Sequence, residues 1–186
     1  MCMFGNVKKN IRNWFFRKEM QNVSRVKKAI GFDAAKKIGI LFDCSREEHY
    51  REVLGFVKHL ERQGKTVFAL GYIRQNKMPL FTMAQPNLAF CQRSDFSFSL
   101  KFKNPQLQNF SRSGFDLLID LSPNDLFHLK LVAGLSDATF KAGTFHHDYV
   151  EVYDLMIRES ENATIGELTQ HMLKYLKMIN PEKNEK

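Results

Sequence analysis

The sequence lacks most of the patterns that would identify a chemistry. Its three cysteines, Cys2, Cys44 and Cys91, are scattered, and none of them sits at a zinc-ligand spacing. No G-x-G-x-x-G or G-x-x-x-x-G-K-[ST] motif occurs, which argues against a dinucleotide or P-loop site. No run of about 18 apolar residues is present, so we expect no membrane-spanning helix. Basic residues interrupt the first apolar positions, which argues against a signal peptide. We expect a cytoplasmic protein with no metal and no cofactor.

Positive charge is concentrated at one end of the chain. The first 30 residues hold eight Lys and Arg against Glu19 alone, a net charge of +7, whereas the rest of the chain nearly balances at +1. A basic segment attached to a neutral body favours attraction to an anionic surface, which is either phospholipid or nucleic acid.

The same segment has the apolar spacing of a helix. Phe4, Val7, Ile11, Trp14 and Phe15 recur at intervals of three and four residues. Val23, Val26 and Ile30 extend the stripe, as one helix or as two with a break near Asn22. The side chains expected to contact a surface or partner are Lys8, Lys9, Ile11, Arg12, Trp14, Phe15, Arg17 and Lys18.

Three interpretations of this helix remain open. Its apolar face packs on its own domain, on a protein partner or on a second copy in a homodimer. Alternatively it lies on an anionic membrane, peripheral at the inner face, because aromatic and basic residues on opposite faces are typical of interfacial helices. The third interpretation is RNA or ribosome binding through phosphate contacts and stacking.

The body reads as alternating strands and helices. KIGILFDCS (37–45) and TVFALGYI (66–73) are apolar strand patterns that enclose a helix, with Ser45 and Glu48 as its expected capping box. LAFCQ (88–92) is consistent with a short strand, and DFSFSLKFK (95–103) alternates like an edge strand. FDLLIDLS (115–122) predicts another buried strand. Ser122 is then expected to cap a helix that runs to Leu135. ATFKAGTF (138–145) predicts a strand, YVEVYDLMI (149–157) fits strand or helix, and Thr164 with Glu167 predicts a capped last helix.

This order predicts an α/β fold, a three-layer Rossmann-like domain with a mostly parallel sheet, preceded by a basic amphipathic helix. The expected division is a helix over 1–30, a linker over 31–37, the Rossmann-like domain over 38–180 and a polar tail over 181–186.

Polar residues follow the predicted strands and form a candidate crevice, because ligands of such folds bind at the carboxyl ends of the strands. Capping and burial explain several of these residues equally well: Cys44 as a buried thiol, Ser45 and Ser122 as helix caps. His146 and His147 are adjacent, so they point to opposite faces and rarely share a metal. One of them, preferably His147, is a candidate base. The crevice candidates are Asp43, Ser45, Asp120, Ser122, Asn124 and His147.

The stretch FDLLIDLSPNDLFHLKLVAGLSDATFKAGTF, over residues 115–145, resembles the N-terminal half of glycosyltransferase family 9, the heptosyltransferases. In that family a second Rossmann-like domain chiefly binds the nucleotide sugar, and the chain is too short to include one. Over its full length the chain resembles an uncharacterised bacterial family of single α/β domains, a domain of unknown function.

Two functions follow. The main expectation is a non-catalytic adaptor or binding protein, attached through its basic helix to an anionic surface or partner. The alternative is a small enzyme or ligand-binding domain related to a glycosyltransferase half-domain, which would use the crevice.

Overall fold

The computed structural model describes residues 3–83, 85–123, 125–160 and 163–179, with side chains described from residue 11 onward. The strands are β1 (Lys37–Asp43), β2 (Thr66–Ile73), β3 (Leu88–Gln92), β4 (Leu117–Asp120), β5 (Phe140–Thr144) and β6 (Leu155–Ile157). The helices are α1 (Met3–Gln21), α2 (Glu47–Arg62), α3 (Pro105–Ser111), α4 (Phe127–Leu135) and α5 (Ile165–Met178).

The six strands of the described residues form one sheet in the order β3-β2-β1-β4-β5-β6, and every pair is parallel. The central strands are almost continuously apolar because both faces of the sheet are covered. Helices α2 and α5 cover one face, and α3 and α4 cover the other. The expected three-layer Rossmann-like architecture is confirmed.

Helix α1 adds a layer outside α4. Phe16 is 3% exposed and meets the Phe127 ring edge-on at 5.7 Å between centroids. Gly134 permits this approach, since a Cβ there would lie 2.5 Å from the Phe16 ring. The helix is therefore seated on the body by its inner face.

The expected continuation of the helical stripe to Ile30 is wrong. After Gln21 the chain has no helix until α2. Val23 and Val26 are β-branched and favour helix weakly, and Arg25 instead binds the body. Its guanidinium forms two 2.8 Å hydrogen bonds to Asp154 and a third to the Ala138 carbonyl.

Residues 31–37, which were expected to form a linker, include residues that pack against the body of the domain. Phe32 is buried, and its amide donates to the Leu176 carbonyl of α5 at 3.2 Å. A Cβ on Gly31 would lie 2.2 Å from the Ile179 carbonyl oxygen, so this close backbone contact requires glycine. The polar tail expected over 181–186 lies outside the described residues.

Two local expectations differ from the structure near the strands. DFSFSLKFK was expected to be an edge strand, but it follows a short 3-10 turn (Arg93–Asp95) and forms a single antiparallel bridge between Phe96 and Phe102. Leu100, with a φ of 63°, turns the chain between them. Neither Ser45 nor Ser122 caps a helix, since both hydroxyls bond to the aspartates two residues before them. The Thr164–Glu167 capping box is confirmed.

Candidate functional site

The candidate site lies where the sheet changes direction. Strands β1 and β4 are neighbours, with Leu41 opposite Asp120. The chain leaves β1 toward α2 on one face and leaves β4 toward α4 on the other. Such a switch point opens a crevice at the carboxyl ends of the two strands. The structure therefore brings Asp43, Ser45, Asp120 and Ser122 to neighbouring strand ends, while Asn124 lies outside the described residues.

Both strands end in the sequence Asp-x-Ser with the same local geometry. Asp43 accepts hydrogen bonds from the amide and hydroxyl of Ser45 at 3.1 and 2.6 Å. Asp120 accepts the same two bonds from Ser122 at 2.8 and 2.5 Å. Each aspartate thus closes a tight turn with one oxygen and offers the other oxygen to a cation.

At the end of β4 that cation is Lys130 of α4. Its ammonium lies 2.9 Å from the second oxygen of Asp120, and both side chains are 0% exposed. The ammonium also donates to the carbonyl and hydroxyl of Ser122 at 3.0 and 3.1 Å, and the Tyr153 hydroxyl donates to Asp120. Burial and the Asp120 charge raise the pKa of Tyr153 well above its ordinary value. The group is a closed, mutually satisfied network.

At the end of β1 the cation is Arg74, the first residue after β2. Its Nε donates to Asp43 at 2.8 Å, and its two terminal nitrogens donate to Asp125 at 3.0 and 3.2 Å. The Arg74 side chain is 41% exposed. Its hydrogen bond lowers the pKa of Asp125. This ion-pair cluster spans the switch point from β1 to the segment after β4.

The setting of the thiol beside Asp43 favours its protonated form. Cys44 is buried, and burial together with the Asp43 charge raises its pKa to about 12. A thiol with that pKa stays protonated at neutral pH. The interpretation of Cys44 as a core residue therefore fits its geometry.

An open cleft with a volume of about 620 Å³ lies beside the switch point. Its walls come from the ends of β4 and β5, from the segment after β6 and from the first turns of α2 and α5. The expected histidine, His147, is exposed and stands edge-on to the Phe145 ring at 5.1 Å, whereas His146 lines the cleft. His49 and Arg158 also line it, and the sequence did not point to either of them.

The residues expected to make surface contacts divide between two sides of α1. Ile11 and Trp14 are 50% and 58% exposed. Arg17 and Lys18 are exposed beside them. Phe15 is partly buried against the apolar core on the α3 and α4 side of the sheet, so it does not share their exposure. Arg12 turns inward, with its guanidinium 4.1 Å from the centre of the Phe127 ring. The side chains of Lys8 and Lys9 lie outside the described part of the chain.

Three residues of these clusters were missed from the sequence. Lys130 had a visible signal, because it is the sole charge in the apolar stretch FHLKLVAGL (127–135). No sequence signal marked Tyr153 or Arg74, since their roles depend on contacts with residues that are distant in the chain. Within the described residues no group of three or more His, Cys, Asp or Glu side chains has a geometry suited to a metal ion. None of the described helices combines the length and apolar character needed to cross a bilayer.

The fold and the candidate site together define a single-sheet Rossmann-like α/β domain. Its switch point is filled by the protein's own ion-paired side chains. A sequence model of the Family of unknown function (DUF6913) matches residues 8–179, and the chain belongs to that family. No curated protein matches the sequence.

The chain is also similar to a solved structure, described as the crystal structure of the glycosyl transferase family 9 from Veillonella parvula DSM 2008. The TM-score is 0.54 at 13% identity, and the alignment covers 83% of this chain but 43% of the other. The chain thus spans less than half of that protein's length, and the likeness shows the fold alone. The resemblance to a family of unknown function is therefore confirmed as membership, and the resemblance to glycosyltransferase family 9 is confirmed for the fold.

Proposed function

We propose that the protein is a non-catalytic binding protein that attaches to an anionic membrane surface through the outer face of α1. The outer face consists of Ile11, Trp14, Arg17 and Lys18. The observation that carries the proposal is the exposure of Ile11 and Trp14, about half each, on a helix whose opposite side is buried through Phe16.

The apolar pair favours lipid over nucleic acid. Ile11 and Trp14 are one helical turn apart, so they project from the same side of α1. An indole ring is well suited to the membrane interface, and transfer of an isoleucine side chain from water to that interface lowers the free energy. RNA would offer stacking to Trp14 and phosphates to the cations, but it would offer nothing to Ile11.

The charges of the outer face are available to an anionic partner. The Lys18 ammonium lies 5.4 Å from the centre of the Trp14 ring. Arg17 contacts Glu151 at 3.5 Å, but both side chains are about 60% exposed. Such a solvated pair is worth little, so Arg17 can exchange partners. Lys27 and Lys28, which follow α1 in the chain, are also exposed. Each basic residue near anionic lipid contributes roughly 1 kcal/mol.

The state of the switch point supports a non-catalytic role. Asp120, Ser122 and Lys130 bond to one another in a buried network, and Arg74 holds Asp43 and Asp125. Polar groups that already satisfy one another at the usual ligand position contribute to structure rather than to turnover.

The test uses Trp14, which is the single tryptophan of the chain. We expect full-length protein to co-sediment with vesicles of phosphatidylglycerol and phosphatidylcholine, and its fluorescence to shift to the blue. Vesicles of phosphatidylcholine alone should give neither effect. The double variant Ile11→Ser/Trp14→Ser should lose co-sedimentation, and Lys18→Glu should weaken it and make it less dependent on salt, because one cation fewer contacts the anionic lipid.

Matched controls come from exposed residues elsewhere. Leu80→Ser removes a fully exposed apolar side chain from the 74–87 segment, and Lys58→Glu reverses an exposed charge on α2. Both should bind vesicles like the unchanged protein. Salt-sensitive binding to RNA without any binding to anionic vesicles would contradict the membrane proposal and favour the nucleic-acid interpretation.

A further inference from the structure

The cleft beside the switch point carries groups that neither the ion-pair clusters nor α1 uses. It is built from three separate connections at the carboxyl edge of the sheet, with His49 on α2, His146 after β5 and Arg158 after β6. We propose that this cleft binds a small hydroxylated organic anion, with the anionic group at Arg158 and His146 and a hydroxyl at His49.

The two histidines offer opposite hydrogen-bonding roles. The Nδ1 atom of His49 lies 3.2 Å from the Asp43 carbonyl oxygen, which can only accept, so Nδ1 carries the proton. In the neutral ring Nε2 is then an acceptor, suited to a ligand hydroxyl. The Nδ1 atom of His146 accepts from the Asp148 amide at 3.1 Å, so its proton is on Nε2. His146 therefore supplies a donor, suited to an anion.

Arg158 supplies the positive charge. Its guanidinium lies 4.7 Å from the centre of the Phe145 ring, and no carboxylate pairs with it among the described residues. Stacking on an aromatic ring fixes the plane of a guanidinium and leaves its N–H groups free at the edges. A guanidinium held in that way is well suited to binding a carboxylate or a phosphate with two parallel hydrogen bonds.

The acidic residues of the cleft are already engaged. Asp125 is held by both terminal nitrogens of Arg74. Glu159 lies 2.5 Å from Nδ1 of His171, and that hydrogen bond lowers the pKa of Glu159. Each of these carboxylates therefore has a hydrogen-bond partner other than Arg158.

The remaining surface fits a carbon skeleton. Leu121, Ile165 and Leu168 form apolar parts of the lining. The volume of about 620 Å³ lies inside the range of roughly 300–1,000 Å³ typical of small-molecule sites. Sugar phosphates and sugar acids share the required chemistry of hydroxyls plus one anionic group.

The experiment is a titration of the full-length protein followed by heteronuclear NMR of the histidine side chains. The probes are glucose 6-phosphate, glucuronate, glucose and inorganic phosphate, each at millimolar concentration. We expect the two sugar anions to shift the signals of both His49 and His146, with glucose and phosphate binding at least about tenfold more weakly. The tighter of the two sugar anions identifies the anionic group as phosphate or carboxylate.

Two variants test the assignment of roles. Arg158→Ala should weaken binding of the tighter probe by about tenfold or more, whereas Arg112→Ala, at an exposed arginine after α3, should leave it unchanged. His146→Asn keeps an acceptor for the Asp148 amide but has no N–H at the position of the imidazole Nε2, and it should weaken binding while retaining the fold. Unperturbed histidine signals with both sugar anions would overturn the proposal, as would undiminished binding in both variants.

Discussion

The ends of β1 and β4 share the sequence Asp-x-Ser and the same aspartate turn, yet they differ in what completes them. At β4 the partner is Lys130, fully buried, with Tyr153 above the same carboxylate. At β1 the partner is Arg74, which is 41% exposed and shared with Asp125. Removing one partner of a buried ion pair leaves the other charge in the core without water, which destabilises the fold strongly. When a solvated pair loses one partner, water hydrates the remaining charge, so the loss of stability is small.

The difference indicates two structural roles for one local motif. The β4 end fixes α4 to the sheet, and α4 in turn carries Phe127 and Gly134, against which α1 is seated. The β1 end holds the segment after β2 across the switch point without closing the neighbouring cleft. Stability should therefore depend strongly on the first cluster and weakly on the second.

The largest expected effect comes from Lys130→Met, which conserves length and removes the charge. Asp120 would remain buried without its cation, so we expect a loss of about 3–5 kcal/mol in the free energy of unfolding. Urea unfolding at neutral pH measures it. Lys58→Met, at an exposed site on α2, should stay within about 0.5 kcal/mol of the unchanged protein.

A double variant separates charge from packing. Asp120→Asn/Lys130→Met removes both charges and should be more stable than Lys130→Met alone, because no unpaired charge is left in the core. Equal stability of the two variants would mean that the loss arises from packing, and the contrast between the two strand ends would then not be electrostatic.

The next effect compares the two serines directly. Ser122→Ala removes a buried hydroxyl that donates to Asp120 and accepts from Lys130, so we expect a loss of about 1–3 kcal/mol. Ser45→Ala removes the equivalent donor to Asp43 at a half-exposed position, where water can replace it, so we expect about 0.5 kcal/mol or less. Equal losses in thermal unfolding would contradict the distinction between a dry and a wet cluster.

The sequence predicted the strands well because their signal is local. The apolar runs of β1 and β2 give the strand bounds and the intervening helix, and the Thr164–Glu167 capping box is confirmed. A buried parallel strand can be recognised from its own nearly continuous apolar run, without knowledge of the neighbouring strands. The same reasoning brought Asp43 and Asp120 to one edge of the sheet.

What the sequence did not predict depends on distant residues. Ser45 and Ser122 carry the local signature of helix caps, but each hydroxyl finds a closer carboxylate in its own turn. Residues 22–30 continue a helical spacing, but Arg25 binds Asp154, 129 positions away. The sequence does not distinguish the adjacent residues His146 and His147. The 3-10 turn that begins at His147 determines that His146 lines the cleft.

Arg74→Met should lose far less than Lys130→Met, about 1 kcal/mol near neutral pH, because the pair is partly solvated. It should also depend on pH. The hydrogen bond to Arg74 lowers the pKa of Asp125 in the folded state, so its stabilisation is fully present above the unfolded value of about 3.9. It is lost as the pH falls through the lowered folded pKa. The stabilities of variant and unchanged protein should therefore converge below about pH 4.

Arg51→Met provides the matched control for Arg74. Arg51 pairs with Glu47 at 2.6 Å one turn apart on α2, but both side chains are well exposed, so a loss of a few tenths of a kcal/mol is expected. Measured by urea unfolding between acid and neutral pH, Arg74→Met should lose more than this control and less than Lys130→Met. A loss as large as that of Lys130→Met would show that the β1 end is as essential to the fold as the β4 end, because Asp43 cannot then be rehydrated.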